Sequence, residues 1–345
     1  MAVTKRPFGV TASGESVTEF VISNDSGASV SVLDYGATVR SVKVPDKNGR
    51  LTDVVLGYDS IEEYEKNICY FGATIGRNAN RIEGAEFSLG GKTYALEQNE
   101  GKNQLHGGKR GFDKQMWQAS CLDDGVNFFR VSPDGEEGFP GKVEVCVMFR
   151  LNRANALEIN YWAESDADTV CNLTNHCYFN LSGGGAVLGH RLQIFADSFT
   201  ENSPECIPTG KILPVSETPM DFTEPKVIGR DISADFSQLS LFGGYDHNYV
   251  LRGDFSMKCA AILSSPETGI ELSVYTDRPG MQLYTGNAIY EQVGKSAALY
   301  GRFGGVCLET QFFPNALHFS HFPTPILRRG EFFRSVTIYE FGITK

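Results

Sequence analysis

The sequence is poor in several things, and each shortage narrows what the chain can be. No stretch approaches the roughly 20 consecutive apolar residues of a membrane span, and the start, MAVTKRPFGVTASGESV, has no apolar core of signal-peptide length after Lys5 and Arg6. No membrane partner is therefore expected, and the cytosol is the expected location. Basic residues are outnumbered, 31 Lys and Arg against 42 Asp and Glu, for a formal charge of -11; a nucleic-acid partner, which wants a basic surface, is not expected. The eight cysteines form no CxxC pair and no zinc spacing, so reduced, mostly buried thiols and no metal are expected. The sequons at Asn24, Asn172 and Asn180 then carry no glycan. GxSxG, HExxH and GxGxxG are all missing, as is any βαβ rhythm.

What is present favours strands. There are 24 Phe, 14 Tyr and 37 Gly with only 2 Trp, and 41% of residues are apolar. Turn signals recur throughout: Ser41 to Leu56 reads as two strands around PDKNG, and Phe87 and Leu89 face Tyr94 and Leu96 across Gly90-Gly91. Val143 to Leu151 alternates with period two, as does Leu157 to Ala163. Ala260 to Leu263 pairs with Ile270 to Tyr275, and Arg334 to Phe341 makes a final strand. Helices are expected only over Ser60 to Asn67 and Ser233 to Leu241. With no linker in evidence, one all-β domain of antiparallel strands over 1–345 is the expected fold, although the length exceeds the usual single core of about 250 to 300 residues.

The stretch Asp168 to Leu181, DTVCNLTNHCYFNL, organises the functional reading. As one strand, its odd positions are mostly core residues, and its even positions are Asn172, Thr174, His176, Tyr178 and Asn180. A polar face without charge, centred on a histidine, suits the wall of a cleft for a neutral polar ligand. A second stretch surrounds Glu309, the only formally charged residue of FGGVCLETQFFPNALHFSHFPTPIL. A carboxylate there is desolvated, and either functional or bonded structurally to backbone amides or an arginine.

Other segments say less. Arg77 and Arg81 in IGRNANRI could grip vicinal hydroxyls, but surface ion pairs explain them as well or better. In LHGG, His106 precedes two glycines that let a ligand approach closely. Asp246 and His247 of GGYDHNY are strand neighbours, so one alone can line a given cleft. Gln282, within the charge-free PGMQLYTGN, bonds either backbone or a ligand. His318 and His321 lack a third ligand. The remaining inventory, a histidine, a buried glutamate and uncharged or arginine hydrogen bonders, suits proton transfer on a sugar.

Seven pieces, GYDSIEEY, IGRNANRI, LHGG, TNHCYFNL, GGYDHNY, TDRPGMQLYTGN and ETQFFPNA, make the sequence resemble the aldose 1-epimerase, or galactose mutarotase, family over nearly its whole length. The resemblance implies a large antiparallel β-sandwich of the supersandwich kind and a cofactor-independent isomerase acting on free aldohexoses such as galactose and glucose. It implies His176 as the acid and Glu309 as the base. Asn80, Arg81, His106, Asp246 and Gln282 would bind sugar hydroxyls, and Tyr178 would line the same cleft. Cys177 stands where the family often has Ser.

Opening a hemiacetal ring needs one base for the C1 hydroxyl and one acid for the ring oxygen. Glu309, with Asp246 nearby, is expected to raise the His176 pKa by favouring its charged form, which gives the acid limb of a pH profile to Glu309 and the basic limb to His176. Rival readings are a glycoside hydrolase using Glu309 with Asp246, a non-catalytic carbohydrate-binding protein, and a phosphosugar epimerase. No heptad or apolar edge marks an oligomeric partner.

Overall fold

The computed structural model describes residues 2–344, and among them antiparallel pairing dominates. Five strands, Ala2–Val10, Ser16–Ser23, Ser29–Leu33, Thr38–Pro45 and Leu51–Asp53, form a sheet in chain order. A nine-stranded sheet carries the two alternating runs at its centre. Val143–Leu151 pairs with Ala156–Ser165, and its side chains alternate between fully and partly buried along the whole length. The strand Phe332–Ile343 lies between Ala156–Ser165 and Ile270–Thr276.

A six-stranded sheet completes the sandwich. Its inner order runs from Val306–Gln311 through Gly280–Tyr284 to Asp246–Leu251. Inward residues of this sheet meet the nine-stranded one: Tyr339 donates its hydroxyl to the Leu308 carbonyl at 3.1 Å, and Phe179 packs on Tyr339 at 4.9 Å between ring centroids. One apolar cluster joins all three sheets, from Val30 and Phe128 to Leu308. At about 25 cal/mol per Å² of buried apolar area, such a core is the dominant stabilising term.

Local chemistry explains the turns. Gly90 and Gly91 both have positive φ, 60° and 77°, as a two-residue hairpin turn of this type requires, and they set Phe87 opposite Tyr94. The helix Ile61–Lys66 starts at Ser60, which forms a reciprocal capping box with Glu63. A second helix, Ser237–Phe242, lies slightly later than the sequence suggests and ends at Gly243 in the left-handed conformation. No helix among the described residues is long and apolar enough to cross a membrane.

The stretch from Asp168 to Leu181 departs from its expected form. It is three two-residue strands, each with a different partner: Thr169–Val170 pairs with Ile326–Leu327, Thr174–Asn175 with Thr74–Ile75, and Tyr178–Phe179 with the start of Val306–Gln311. The chain bends wherever it changes partner. Cys171, Leu173, Cys177, Phe179 and Leu181 still enter the apolar core. Of the polar face, however, only His176 and Tyr178 reach a cavity. Asn172 accepts from the Phe312 amide at 3.0 Å, and Asn180 donates to the Gly185 and Gly304 carbonyls at 2.8 Å. These asparagines pin irregular backbone, as buried amides must do something of this kind.

Candidate active site

A cavity of about 420 Å³ lies over the six-stranded sheet. Its floor begins with Glu309, whose position on Val306–Gln311 follows from alternation. Val306 and Leu308 point into the main core, so Cys307 and Glu309 face the opposite way. His176 arrives from the bent segment, its backbone tied by its amide to the Ala73 carbonyl at 2.9 Å and by its carbonyl to the Gly72 amide at 3.0 Å. Its Nε2 lies 3.6 Å from Glu309 Oε1, with the two side chains 5% and 2% exposed. Two residues 133 positions apart thus meet, both nearly fully buried, at the cavity floor.

His106 completes the inner group, its ring edge-on to His176 at 5.0 Å. The residue has positive φ, and Gly107 after it turns where an added side-chain carbon would lie 1.9 Å from the Gly76 carbonyl oxygen. His106 Nδ1 accepts the Asn80 amide at 3.1 Å. In a neutral ring that bond leaves the hydrogen on Nε2, so His106 offers the cavity a donor. His106, His176 and Glu309 lie close enough to suggest a metal site, but a metal at His106 Nε2 would need this tautomer reversed and the Asn80 bond broken. The donor set fits a hydroxylated ligand better than a cation.

Asn80, Arg81, Tyr178 and Asp246 also line the cavity. Arg81 has committed two nitrogens to Glu100, Nε to Oε2 at 2.6 Å and Nη2 to Oε1 at 2.7 Å. Asp246 accepts from Gln282 Nε2 at 2.6 Å. Gln282 itself is buried behind the wall and does not line the cavity, so its contact is with Asp246. His247 points the other way, between Phe199 and Phe242. Arg77 is neither a surface ion pair nor part of the cavity: it is buried, with Nη1 donating to the Pro140 carbonyl and Nη2 to those of Ser132 and Pro133.

Several wall residues escape sequence reasoning. Tyr70 lies against both imidazoles, 4.7 Å from the ring centre of His106 and 5.8 Å from that of His176. Cys206, Asn287 and Tyr290 also contribute. Tyr284 does have a readable signal, since it shares a strand face with Gln282 two positions earlier in an uncharged segment.

The electrostatics reverse one expectation. Burial pushes the His176 pKa down to about 4, not up, because a charged imidazolium in this cavity loses its water and Glu309 does not compensate. Burial, reinforced by Asp246, raises Glu309 well above the usual carboxylate range, while Arg81 opposes that rise. Burial also raises Asp246. His106 is held well below its ordinary value by burial, then by His176 and Arg81. For Arg81, burial favours the neutral form, but the bond to Glu100 and the charge of Asp246 overcome it and raise the pKa. Both shifts favour the neutral forms of the pair, a carboxylic acid at Glu309 and an uncharged imidazole at His176.

An antiparallel supersandwich of this kind, with a histidine and a glutamate converging on a polar cavity, matches the galactose mutarotase-like fold. The aldose 1-epimerase family profile matches residues 18–340, and the chain belongs to that family. It is 41% identical over 347 residues to the galactose mutarotase of Sus scrofa and 40% identical over 346 residues to that of Homo sapiens, each comparison covering 99% of both chains. It is 37% identical to the aldose 1-epimerase of Escherichia coli K12, over 92% of this chain and 93% of that one. The crystal structure of a GalM/aldose epimerase homologue from C. elegans superposes with a TM-score of 0.88 at 32% identity, covering 94% of this chain and 98% of that one.

Proposed function

We propose that this chain is an aldose 1-epimerase interconverting the α and β anomers of free aldohexoses such as galactose and glucose, with Glu309 and His176 as the proton-exchanging pair. The observation that carries the assignment of roles is the 3.6 Å approach of His176 Nε2 to Glu309 Oε1 at the floor of a polar cavity. A carboxyl and an imidazole so placed can reach the two oxygens attached to C1 of one pyranose.

The pair needs one proton between its members. With a closed ring bound, that proton sits on His176 and Glu309 is ionised. Glu309 takes the hydrogen of the C1 hydroxyl, C1 becomes a carbonyl carbon, the bond from C1 to the ring oxygen breaks, and His176 gives its proton to that oxygen. This leaves Glu309 protonated, His176 neutral and the sugar an open aldehyde. Rotation about the bond between C1 and C2 presents the other carbonyl face, and the reverse transfers close the ring as the other anomer. Because burial disfavours the ion pair, the cavity shifts the balance toward the neutral pair that accompanies the open chain. The bond to the ring oxygen breaks and re-forms with no change of oxidation state, so the reaction calls for no cofactor.

In this reading Asn80, Arg81, His106 and Asp246 hold hydroxyls, Tyr178 packs on the ring, and Gln282 holds Asp246 through its hydrogen bond. The reading extends to one domain over the whole chain and to a cytosolic location, for which the eight free cysteines are the support. Polarimetry on freshly dissolved α-galactose and α-glucose tests it: the enzyme accelerates the decay of rotation and releases no nitrophenol from nitrophenyl galactoside. Nitrophenol release without faster mutarotation would replace this reading with a glycoside hydrolase.

A further inference from the structure

Behind Glu309 the sheet face continues away from the cavity mouth, and it is unusually polar. On three adjacent strands, Asn248 pairs directly with Gln282, Gln282 with Glu309, and Gly280 with Gln311. Residues directly opposite on one face lie about 4.5 to 5.5 Å apart at Cβ, so these side chains form one contiguous strip. Asn248 is 1% exposed, Gln282 3%, Glu309 2% and Gln311 0%.

Within this strip six side-chain atoms have no protein hydrogen-bond partner: both polar atoms of Asn248, both of Gln311, Gln282 Oε1 and Glu309 Oε2. They are six of only thirteen such buried atoms among the described residues, which makes the clustering the feature to explain. A buried polar atom left unpaired costs about 1–3 kcal/mol, and native proteins satisfy such groups with internal water where there is room. The missing side chain of Gly280 lets Asn248 and Phe313 approach the strand closely. A side-chain carbon there would lie 2.5 Å from Asn248 Oδ1 and 2.9 Å from the Phe313 ring. The far end of the strip is closed by the apolar cluster of Phe313, Phe319 and Phe322 with Val250.

We propose that Asn248, Gln282 and Gln311 form a polar floor, bridged by buried water, that holds the outer carboxyl oxygen of Glu309. Asn248 and Gln311 are then positioning residues, acting on the proton exchange through Glu309 without touching sugar. The inference rests on the reading of Glu309 given above. The floor keeps one carboxyl oxygen engaged, so that the other, Oε1, is presented to His176 and the sugar as the carboxyl gains and loses its proton.

The test is Gln311→Met, which conserves shape and removes both polar atoms, with Asn248→Leu as the second variant. If the floor positions the carboxyl, kcat falls about tenfold, the usual size of one lost hydrogen bond to a charged group, while KM stays within about twofold. An unchanged kcat overturns the proposal, and a raised Tm beside it would mark the site as dry and unconnected, since removing an unpaired polar group then stabilises. A KM rise matching the kcat loss also overturns it, because that signals direct sugar contact. If neither variant folds, a high-resolution crystal structure of the wild type decides: ordered water bonded to both Glu309 Oε2 and Gln311 supports the floor, and a dry gap sinks it. Absence of mutarotation in the wild type would instead sink the proposed function, whatever the water positions.

Discussion

At the scale of single residues, the instructive pair is Glu309 and His176, which the structure brings within 3.6 Å of each other but with the imidazole shifted opposite to expectation. A lone carboxylate among Phe and Leu is legible as desolvated. The imidazole looked like a group that its carboxylate neighbour would charge, yet desolvation acts on both partners and leaves His176 near 4 and Glu309 high. The limbs of the pH profile therefore exchange owners. Below about pH 4 a second proton reaches His176 and activity falls; on the alkaline side Glu309, its pKa raised by burial, loses the shared proton and activity falls again. We expect kcat/KM to hold its plateau down to about pH 5, and Glu309→Gln to lower kcat at least 100-fold and to remove the basic limb from the residual rate. A wild-type acid limb near pH 6.5 would contradict the assignment. Residues such as Asn248 and Gln311 were invisible in the sequence, because whether a buried amide is satisfied depends on strands that meet only in three dimensions.

Among the elements, regular hairpins were the easiest to read and bent segments the hardest. Val143–Leu151 and Gly90-Gly91 announce themselves by alternation and turn chemistry. The stretch around His176 kept its alternation while changing partner twice, and nothing local marks a change of partner. The same holds for the loop that presents His106, where Gly107 at φ 86° packs against the Gly76 carbonyl. Gly107→Ala should cost roughly 2 kcal/mol or more in stability, from the left-handed backbone and the clash together, and should lower kcat/KM by misplacing His106. Chemical denaturation and polarimetry of that variant check both effects, and a loss of stability with unaltered kinetics would show that the loop does not aim the imidazole. At the helix Ile61–Lys66, Ser60→Ala should remove about 1 kcal/mol and leave kinetics alone, since neither Ser60 nor Glu63 lines the cavity; equilibrium unfolding measures it.

Across the whole molecule, four of the six histidines are buried. Besides His106 and His176, burial holds His190 at about 4 and His247 at about 3. Each is charged in the unfolded chain below its free value near 6.5 but neutral in the folded one down to its lowered value. The unfolded state then binds more protons between about pH 6.5 and 4, and stability falls on acidification through that window. Asp113, raised to about 7 by burial, acts in the opposite sense, binding its proton in the folded state and losing that contribution as pH rises. His190→Gln, which can still accept from the Leu181 amide that now donates to Nε2 at 3.0 Å, should flatten the slope of unfolding free energy against pH by about one proton in the acid window. An unchanged slope would mean that His190 is protonated in the native state.

The position of Phe332–Ile343 at the centre of the nine-stranded sheet, flanked by segments that precede it by some 60 and 170 positions, bears on how the protein is made. During synthesis both flanking strands emerge from the ribosome with an open edge facing a gap that only the later segment Phe332–Ile343 can fill. Those two edges stay exposed until translation reaches that segment. Nascent chains stalled before residue 332 should accordingly remain bound to chaperones or aggregate, and release should coincide with the moment the final strand clears the exit tunnel.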